Sequence, residues 1–61
     1  MNTLKKLRKD KGFTQQKLAE MCGVVRNTIS MIEMGVNKPS VPLAKKLGEA
    51  LGVDWTVFFA D

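Results

Sequence analysis

The sequence predicts an all-α fold in which five short helices pack as one small bundle, and two observations lead to this prediction. Apolar residues recur three and four positions apart along most of the chain, and no segment has the pattern of a strand. Apolar pairs also flank three of the predicted helix starts at the N′ and N4 positions of a hydrophobic staple. The chain has 61 residues, 44% of them apolar, which suffices for the core of a single domain, 1–61.

The first two helices are bounded by residues that favour helix ends. The first is predicted over about residues 2–11, with Leu4 and Leu7 on one face, and it ends before Gly12. The second begins after Thr14, a good N-cap, and ends at Gly23, because glycine adopts the left-handed backbone without steric cost.

The third predicted helix follows Gly23 and Val24 and starts near Arg26, and its pattern has Val25, Ile29 and Ile32 on the inner face. Two short helices joined by a tight glycine turn form the arrangement that places the second helix in a DNA major groove. The same pattern also occurs in αα-hairpins that have only a structural role. The outer face of the third helix favours contact with a ligand, because it carries no acidic residue and no lysine. The side chains of this outer face are Arg26, Asn27, Ser30, Met31 and Met34.

The last two helices follow from the same signals. Ser40 caps the fourth helix, Pro42 lies in its first turn, where a missing N–H is tolerated, and Gly52 ends it. A fifth helix is predicted to begin after Asp54. The predicted inner face of the fourth helix consists of Val41, Ala44, Leu47, Gly48 and Leu51.

Composition narrows the possible functions. The formal net charge is +4, and the excess of lysine and arginine in the first half suits a polyanionic partner, although a solvated helix face also explains these lysines. The single cysteine, Cys22, excludes an internal disulfide and indicates a reducing compartment. Because the chain has no histidine and no second cysteine, we expect neither a transition-metal site nor a cofactor.

The sequence also disfavours a membrane protein, a secreted protein and an enzyme. No apolar run approaches the roughly 20 residues of a membrane span, and no signal-peptide pattern is present, so a cytoplasmic location is expected. No serine or cysteine nucleophile has a nearby base, and no phosphate-binding loop is present, so we expect no enzymatic activity. No small-molecule ligand is evident.

The segments TQQKLAEMCGVVRNTISMIEMG, NKPS and EALGVDW resemble the phage Cro and repressor type of helix-turn-helix domain, also called the xenobiotic-response-element type. The resemblance covers about residues 3–59. It implies a compact five-helix bundle, a lambda-repressor-like DNA-binding domain. It also implies sequence-specific binding of double-stranded DNA, usually as a dimer on a palindromic operator and usually in repression of transcription.

The resemblance implies that exposed positions of the third helix read base edges, here Arg26, Asn27, Ser30 and Met31. The chemistry fits, because arginine pairs with guanine, asparagine pairs with adenine, and a methionine can pack on a thymine methyl. The start of the second helix meets a phosphate in similar domains, since free N–H groups and the helix dipole favour an anion there. The predicted phosphate contacts are Gln15, Gln16, Lys17, Thr28 and Lys38.

The resemblance also implies an ion pair between Arg8 and Glu33, the alternative being two unrelated solvated charges. Two positions depart from the pattern of similar domains. Val25 replaces a capping serine or threonine, at a cost of about 1 kcal/mol, and Lys17 replaces an acidic capping-box residue.

The C-terminal segment is the predicted dimer interface. Its aromatic residues cannot all face one small core, so an exposed apolar patch is expected, with Trp55 packed on the fourth helix near Gly48 or Leu51. In the alternative, all of the aromatics fold inward. The predicted interface residues are Leu43, Trp55, Val57 and Phe59. A different function remains open, that of a protein-interaction module of the same fold, antitoxin-like or regulator-binding, without an operator of its own.

Overall fold

The computed structural model describes residues 2–59, in which four α-helices precede a short 3₁₀ helix. The elements are α1 (Asn2–Asp10), α2 (Gln15–Cys22), α3 (Arg26–Glu33), α4 (Val41–Leu51) and the 3₁₀ helix Trp55–Phe59. No strand occurs in this range, so the prediction of an all-α fold is confirmed. The predicted domain range, 1–61, includes Met1, Ala60 and Asp61, which lie outside the described residues.

The predicted bundle of five helices was wrong in its count, because the described residues form four α-helices and the last element is a 3₁₀ helix. The amide of Val57 donates to the carbonyl of Asp54 at 3.1 Å, which is the i to i+3 bond of a 3₁₀ turn. The Asp54 side chain strengthens this turn, since its Oδ1 accepts from the amide of Thr56 at 2.9 Å and from its hydroxyl at 2.8 Å. These bonds also lower the pKa of Asp54.

The helix ends agree closely with the sequence signals. Thr14 Oγ1 accepts from the amide of Lys17 at 3.0 Å, and Ser40 Oγ accepts from the amide of Leu43 at 3.3 Å, so both predicted N-caps are confirmed. Gly23 has a φ of 70°, a conformation that L side chains rarely adopt. The turn between α2 and α3 is short for this reason.

The core lies where all five elements meet. α2 packs against α3 and α4, α1 packs against α3 and the 3₁₀ helix, and the 3₁₀ helix lies on α4. Phe58 is the largest fully buried side chain, so the short 3₁₀ helix supplies the largest single block of the core. The buried apolar residues are Leu4, Leu18, Ala19, Cys22, Ile29, Ile32, Ala44, Leu47, Leu51 and Phe58.

Two valines that we predicted on inner faces are exposed instead. Val25 is 70% exposed and Val41 is 48% exposed. Val25 is the N-cap of α3 and has an extended backbone, so the angular spacing of a helix does not apply to it. Val24 packs against the core in its place. Val41 is the first residue of α4, where the chain has not yet completed a turn over the core.

Gly48 allows the 3₁₀ helix to approach α4 closely. A Cβ at this position would lie 2.8 Å from the carbonyl oxygen of Val53 and 3.1 Å from Cα of Trp55, so no side chain fits. The predicted packing of Trp55 near Gly48 is confirmed.

We predict that Gly48→Ala destabilises the protein by about 1–3 kcal/mol, because the new methyl group must displace backbone atoms. A 2.8 Å approach to a backbone oxygen places this loss toward the upper end of that range, above the roughly 1 kcal/mol that alanine gains over glycine in helix propensity. Urea unfolding followed by circular dichroism measures the difference. Glu49→Ala is the matched control at an exposed position of the same helix, and it should change stability by less than about 0.5 kcal/mol. A Gly48→Ala variant as stable as this control would contradict the packing argument.

Candidate nucleic-acid interface

The predicted base-reading residues lie on the side of α3 that faces away from the core. Ile29 and Ile32 are fully buried on the inner side of this helix. Arg26 and Asn27 are exposed, and Ser30 and Met31 are partly exposed. Met34 follows the last residue of α3 and is 69% exposed. The structure therefore presents a neutral polar surface with one arginine at its leading end.

Polar side chains on this surface donate to methionine sulfur atoms. Asn27 Nδ2 lies 3.5 Å from Sδ of Met31, and Ser30 Oγ lies 3.8 Å from Sδ of Met34. Each pair is four residues apart, the spacing at which helical side chains are neighbours. Asn37 Nδ2, from the loop after α3, also donates to Met31 Sδ, at 3.8 Å.

Sequence reasoning missed Asn37, which lies outside α3. The loop returns over the end of α3, held by two backbone hydrogen bonds. The amide of Gly35 donates to the carbonyl of Ile32 at 3.1 Å, and the amide of Val36 donates to the carbonyl of Met31 at 3.0 Å. The glycine after α3 was the signal that could have found it. A helix that ends at such a glycine brings the next residues back beside its last turn.

The start of α2 is the predicted phosphate site, and its electrostatics suit an anion. By helix geometry, the amides of Gln15 and Gln16 have no intrahelical carbonyl partner, and the first turn contains no acidic residue. Gln16 and Lys17 are exposed, although Gln16 Nε2 donates to Oε2 of Glu20 at 3.0 Å. Among the other predicted phosphate contacts, Thr28 is half-buried on α3 and Lys38 is exposed in the loop before α4.

The structure brings Arg8 and Glu33 together in a buried bidentate ion pair. Arg8 Nε lies 2.6 Å from Oε2 of Glu33, and its Nη2 lies 3.1 Å from Oε1. Both residues are 7% exposed. The remaining Arg8 nitrogen, Nη1, donates to the carbonyl of Phe13 at 2.8 Å, and Gln15 Nε2 donates to Glu33 Oε1 at 3.0 Å. Within residues 2–59, no buried polar side-chain atom lacks a hydrogen-bond partner.

The pair shifts the pKa of both partners. Burial acts to raise the pKa of Glu33, but the hydrogen bonds from Arg8 and Gln15 and the charges of Arg8 and Lys5 outweigh it. The pKa of Glu33 is therefore lower than its ordinary value. The hydrogen bond to Glu33 raises the pKa of Arg8. Glu33 therefore remains charged at neutral pH.

The predicted dimer interface, which we call the C-terminal surface, consists of Leu43, Trp55, Val57 and Phe59. Leu43, Trp55 and Val57 are half-buried and pack against the core, whereas Phe59 is 37% exposed. The rings of Trp55 and Phe59 meet edge to face with centroids 6.1 Å apart, and Lys45 Nζ lies 5.5 Å from the Trp55 ring centroid. The aromatics therefore turn partly inward, and the Phe59 ring is the most exposed part of this surface.

Other kinds of site have little support. Cys22 is buried, and burial raises the pKa of its thiol despite the nearby charge of Lys46. Residues 2–59 contain no group of three or more potential metal-ligating side chains. None of the helices in the same range is long and apolar enough to cross a membrane.

Comparison with known proteins finds similarity to helix-turn-helix proteins in each case. The profile of a family described as helix-turn-helix matches residues 4–58. The HTH-type transcriptional regulator YqaF of Bacillus subtilis is 53% identical over 58 residues, which cover 95% of this chain and 76% of that relative. An HTH-type transcriptional regulator of Methanothermobacter thermautotrophicus is 49% identical over 45 residues, or 74% of this chain and 65% of the relative.

A third relative, the SPbeta prophage-derived regulator YonR of Bacillus subtilis, is 38% identical over 50 residues. The match covers 82% of this chain but only 46% of YonR. The similarity to YonR therefore concerns less than half of that protein.

We predict that Glu33→Gln lowers the free energy of unfolding at neutral pH by about 3 kcal/mol, because the charge of Arg8 loses its buried partner. The folded pKa of Glu33 lies below its unfolded value, which is about 4.3. The contribution of the pair is therefore complete above the unfolded pKa and is lost as the pH falls through the folded pKa.

Urea unfolding of both proteins between pH 7 and pH 2 tests this prediction. The stability difference between wild type and Glu33→Gln should narrow below about pH 4, as Glu33 becomes protonated. Glu49→Gln removes an exposed glutamate from α4 and serves as the control. A difference that stays constant across this pH range would show that the ion pair is not its cause.

Proposed function

The chain belongs to the Cro/repressor-type helix-turn-helix family of DNA-binding transcriptional regulators, and we propose that it represses transcription by reading an operator with α3. One observation carries the proposal. The outward side of α3 is free of acidic side chains and offers an arginine, an asparagine and a serine within two turns of helix. A helix in the major groove meets base edges with side chains of this kind.

We assign the base contacts by chemistry. Arg26 pairs with guanine O6 and N7, and Asn27 pairs with adenine N6 and N7. Ser30 donates to or accepts from a base edge, and the methyl group of Met31 packs on thymine. The support is that these four residues share the accessible side of one helix that α2 holds against the core.

The phosphate contacts in the proposal flank α3. The start of α2 binds one phosphate through the amides of Gln15 and Gln16 and through Lys17. Thr28 and Lys38 bind phosphates nearer the two ends of α3. The net charge of +4 favours association with DNA, since the charge attracts the polyanion over a distance.

We further propose that the operator is a palindrome bound by a homodimer. The Cα atoms of one copy span only 24 × 23 × 20 Å, whereas successive half-sites lie about 34 Å apart on DNA. One copy therefore reads one half-site, and a second copy doubles the base contacts. The C-terminal surface is the proposed interface, because Phe59 is a partly exposed aromatic that continues an apolar cluster.

A second candidate function is that of a protein-interaction module. One observation favours it, the exposure of Met34, Val36 and Val41 around the loop between α3 and α4. Three exposed apolar side chains in one region suit a protein partner as well as DNA. An affinity for DNA that depends on salt and on base sequence would favour the repressor, whereas a protein-interaction module would show no such affinity.

We predict that selection from random duplexes yields one preferred site. The logarithm of the binding constant for this site should fall linearly with the logarithm of the salt concentration, with a slope of about −0.9 per phosphate contacted. Arg26→Ala should cost about 1–3 kcal/mol and relax the preference at one base position of each half-site. Lys17→Ala should weaken all sequences equally and reduce the salt slope by about 1.

Fluorescence anisotropy with the selected duplex measures these effects. Lys46→Ala is the matched control, because it removes one exposed positive charge from α4, outside the proposed interface. If no duplex binds at low salt, the DNA-reading proposal is wrong. If Arg26→Ala keeps the full preference, Arg26 does not read a base.

We predict that Phe59→Lys shifts the protein from dimer to monomer and lowers operator affinity, because a charge replaces the apolar edge of the interface. Sedimentation equilibrium at micromolar concentration measures the change. Met21→Lys is the control, since it makes the corresponding change at an exposed apolar residue of α2, outside the C-terminal surface and the proposed DNA contacts. Wild-type protein that stays monomeric both free and on DNA would rule out the dimer.

A further inference from the structure

We propose that Met31 is a positioning residue whose sulfur holds Asn27 and Asn37 side by side, so that Asn37 joins the base-reading surface of α3. The inference rests on the proposed function, because it concerns how α3 reads DNA. It adds a loop residue to that surface and gives Met31 a role beyond contact with a thymine methyl.

The sulfur of Met31 is a shared acceptor. Asn27, one turn earlier on α3, donates from Nδ2 at 3.5 Å, and Asn37, six residues later in the loop, donates from Nδ2 at 3.8 Å. Asn27 and Asn37 are exposed, whereas Met31 is half-buried. Two exposed amide groups therefore converge on the sulfur of one half-buried side chain.

The backbone of Met31 holds the same loop. Its carbonyl oxygen accepts from the amide of Val36 at 3.0 Å and from the amide of Asn37 at 3.5 Å. The carbonyl oxygen and the sulfur of Met31 thus both accept from Asn37. These two contacts set the direction of the Asn37 side chain relative to α3. The position of Asn37 beside Asn27 follows from these two contacts together.

The chemistry of sulfur explains why a methionine suits this task. A thioether is a weak acceptor, so it restricts the rotamers of both asparagines but gives up their N–H groups readily to a base or phosphate oxygen. It occupies only the amide nitrogen, and the Oδ1 atom that would accept from adenine N6 stays available. Leucine would leave both side chains unrestrained, and glutamine would offer a stronger acceptor that competes with DNA.

Ser30 and Met34 repeat the arrangement one turn further along. Ser30 Oγ donates to Met34 Sδ at 3.8 Å, so another proposed base-reading side chain is also held by a sulfur. The Met34 pair involves no loop residue, however, and Met34 is far more exposed than Met31. Met31 is therefore the residue through which helix and loop are coupled.

The first test uses the free protein and does not depend on DNA. In Met31→Leu, the ¹⁵N order parameters of the Asn27 and Asn37 side-chain amides should fall, because their acceptor is gone. The Gln16 side-chain amide is the internal control, since it donates to Glu20 on α2 and should not change. Circular dichroism verifies that the variant is folded. Unchanged order parameters at both asparagines would overturn the proposal.

The second test is a double-mutant cycle on the selected duplex. Met31→Leu keeps an apolar contact to thymine but should lose about two- to tenfold in affinity, a part of the cost of ordering two side chains on binding, because weak sulfur contacts restrain them only partly. In the Asn27→Ala, Asn37→Ala background the same substitution should have no further effect, because Met31 acts through these two residues. Met31→Gln also removes the apolar contact to thymine, so it should weaken both proteins, and it should weaken the wild-type protein more than the double variant.

The outcomes separate the inference from the function on which it rests. An equal loss from Met31→Leu in both backgrounds would overturn the positioning role while leaving DNA reading by α3 intact. A wild-type protein that selects no duplex would refute the proposed function. In that case the order parameters of the free protein alone decide whether Met31 positions the two asparagines.

Discussion

The buried ion pair between Arg8 and Glu33 is the interaction on which the rest of the structure depends. Arg8 extends from α1 and uses three nitrogens, two on the carboxylate at the end of α3 and one on the carbonyl of Phe13 before α2. The first residue of α2, Gln15, binds the same carboxylate. Because the charges are removed from water, this geometry must satisfy them fully, and it does. One carboxylate thus fixes the end of α3 relative to the start of α2, the two elements proposed to meet DNA.

This junction matters because the helices are too short to be stable alone. α2 and α3 have eight residues each, and the N-cap of α3, Val25, makes no side-chain cap hydrogen bond. Isolated helices of that length are marginal in water, so their order comes from tertiary packing. Gly23 allows α3 to begin close to α2, and Gly48 allows the 3₁₀ helix to place Phe58 in the core. The position of α3 is therefore set by the packing of its inner side, with Ile29 and Ile32 buried.

Charge and polarity are divided between two parts of the surface. The net positive charge favours attraction of DNA over a distance, and the side chains of α3 that are proposed to meet bases are neutral apart from Arg26. Neutral donors discriminate between base edges by geometry, whereas lysines bind every sequence alike. The methionine sulfurs fit this division, since they accept from Asn27 and Ser30 without adding charge. In the proposed binding mode, affinity and specificity are therefore supplied mainly by different residues, and Arg26 contributes to both.

Local signals in the sequence determined most of the fold. Thr14, Ser40 and the glycines that follow the helices set the helix bounds, and the polarity of α3 indicated its outer face, because caps and amphipathic spacing act over a few residues. Only the tertiary structure decided features that depend on distant partners. Val25 and Val41 are exposed because their helix starts lie beyond the core, and the last element is a 3₁₀ helix because Asp54 and Thr56 close a tight turn. Asn37 contacts Met31 only because the chain reverses at Gly35. A side-chain amide that donates to a sulfur six residues earlier does not follow the helical spacing of three or four residues, so the sequence pattern does not predict this contact.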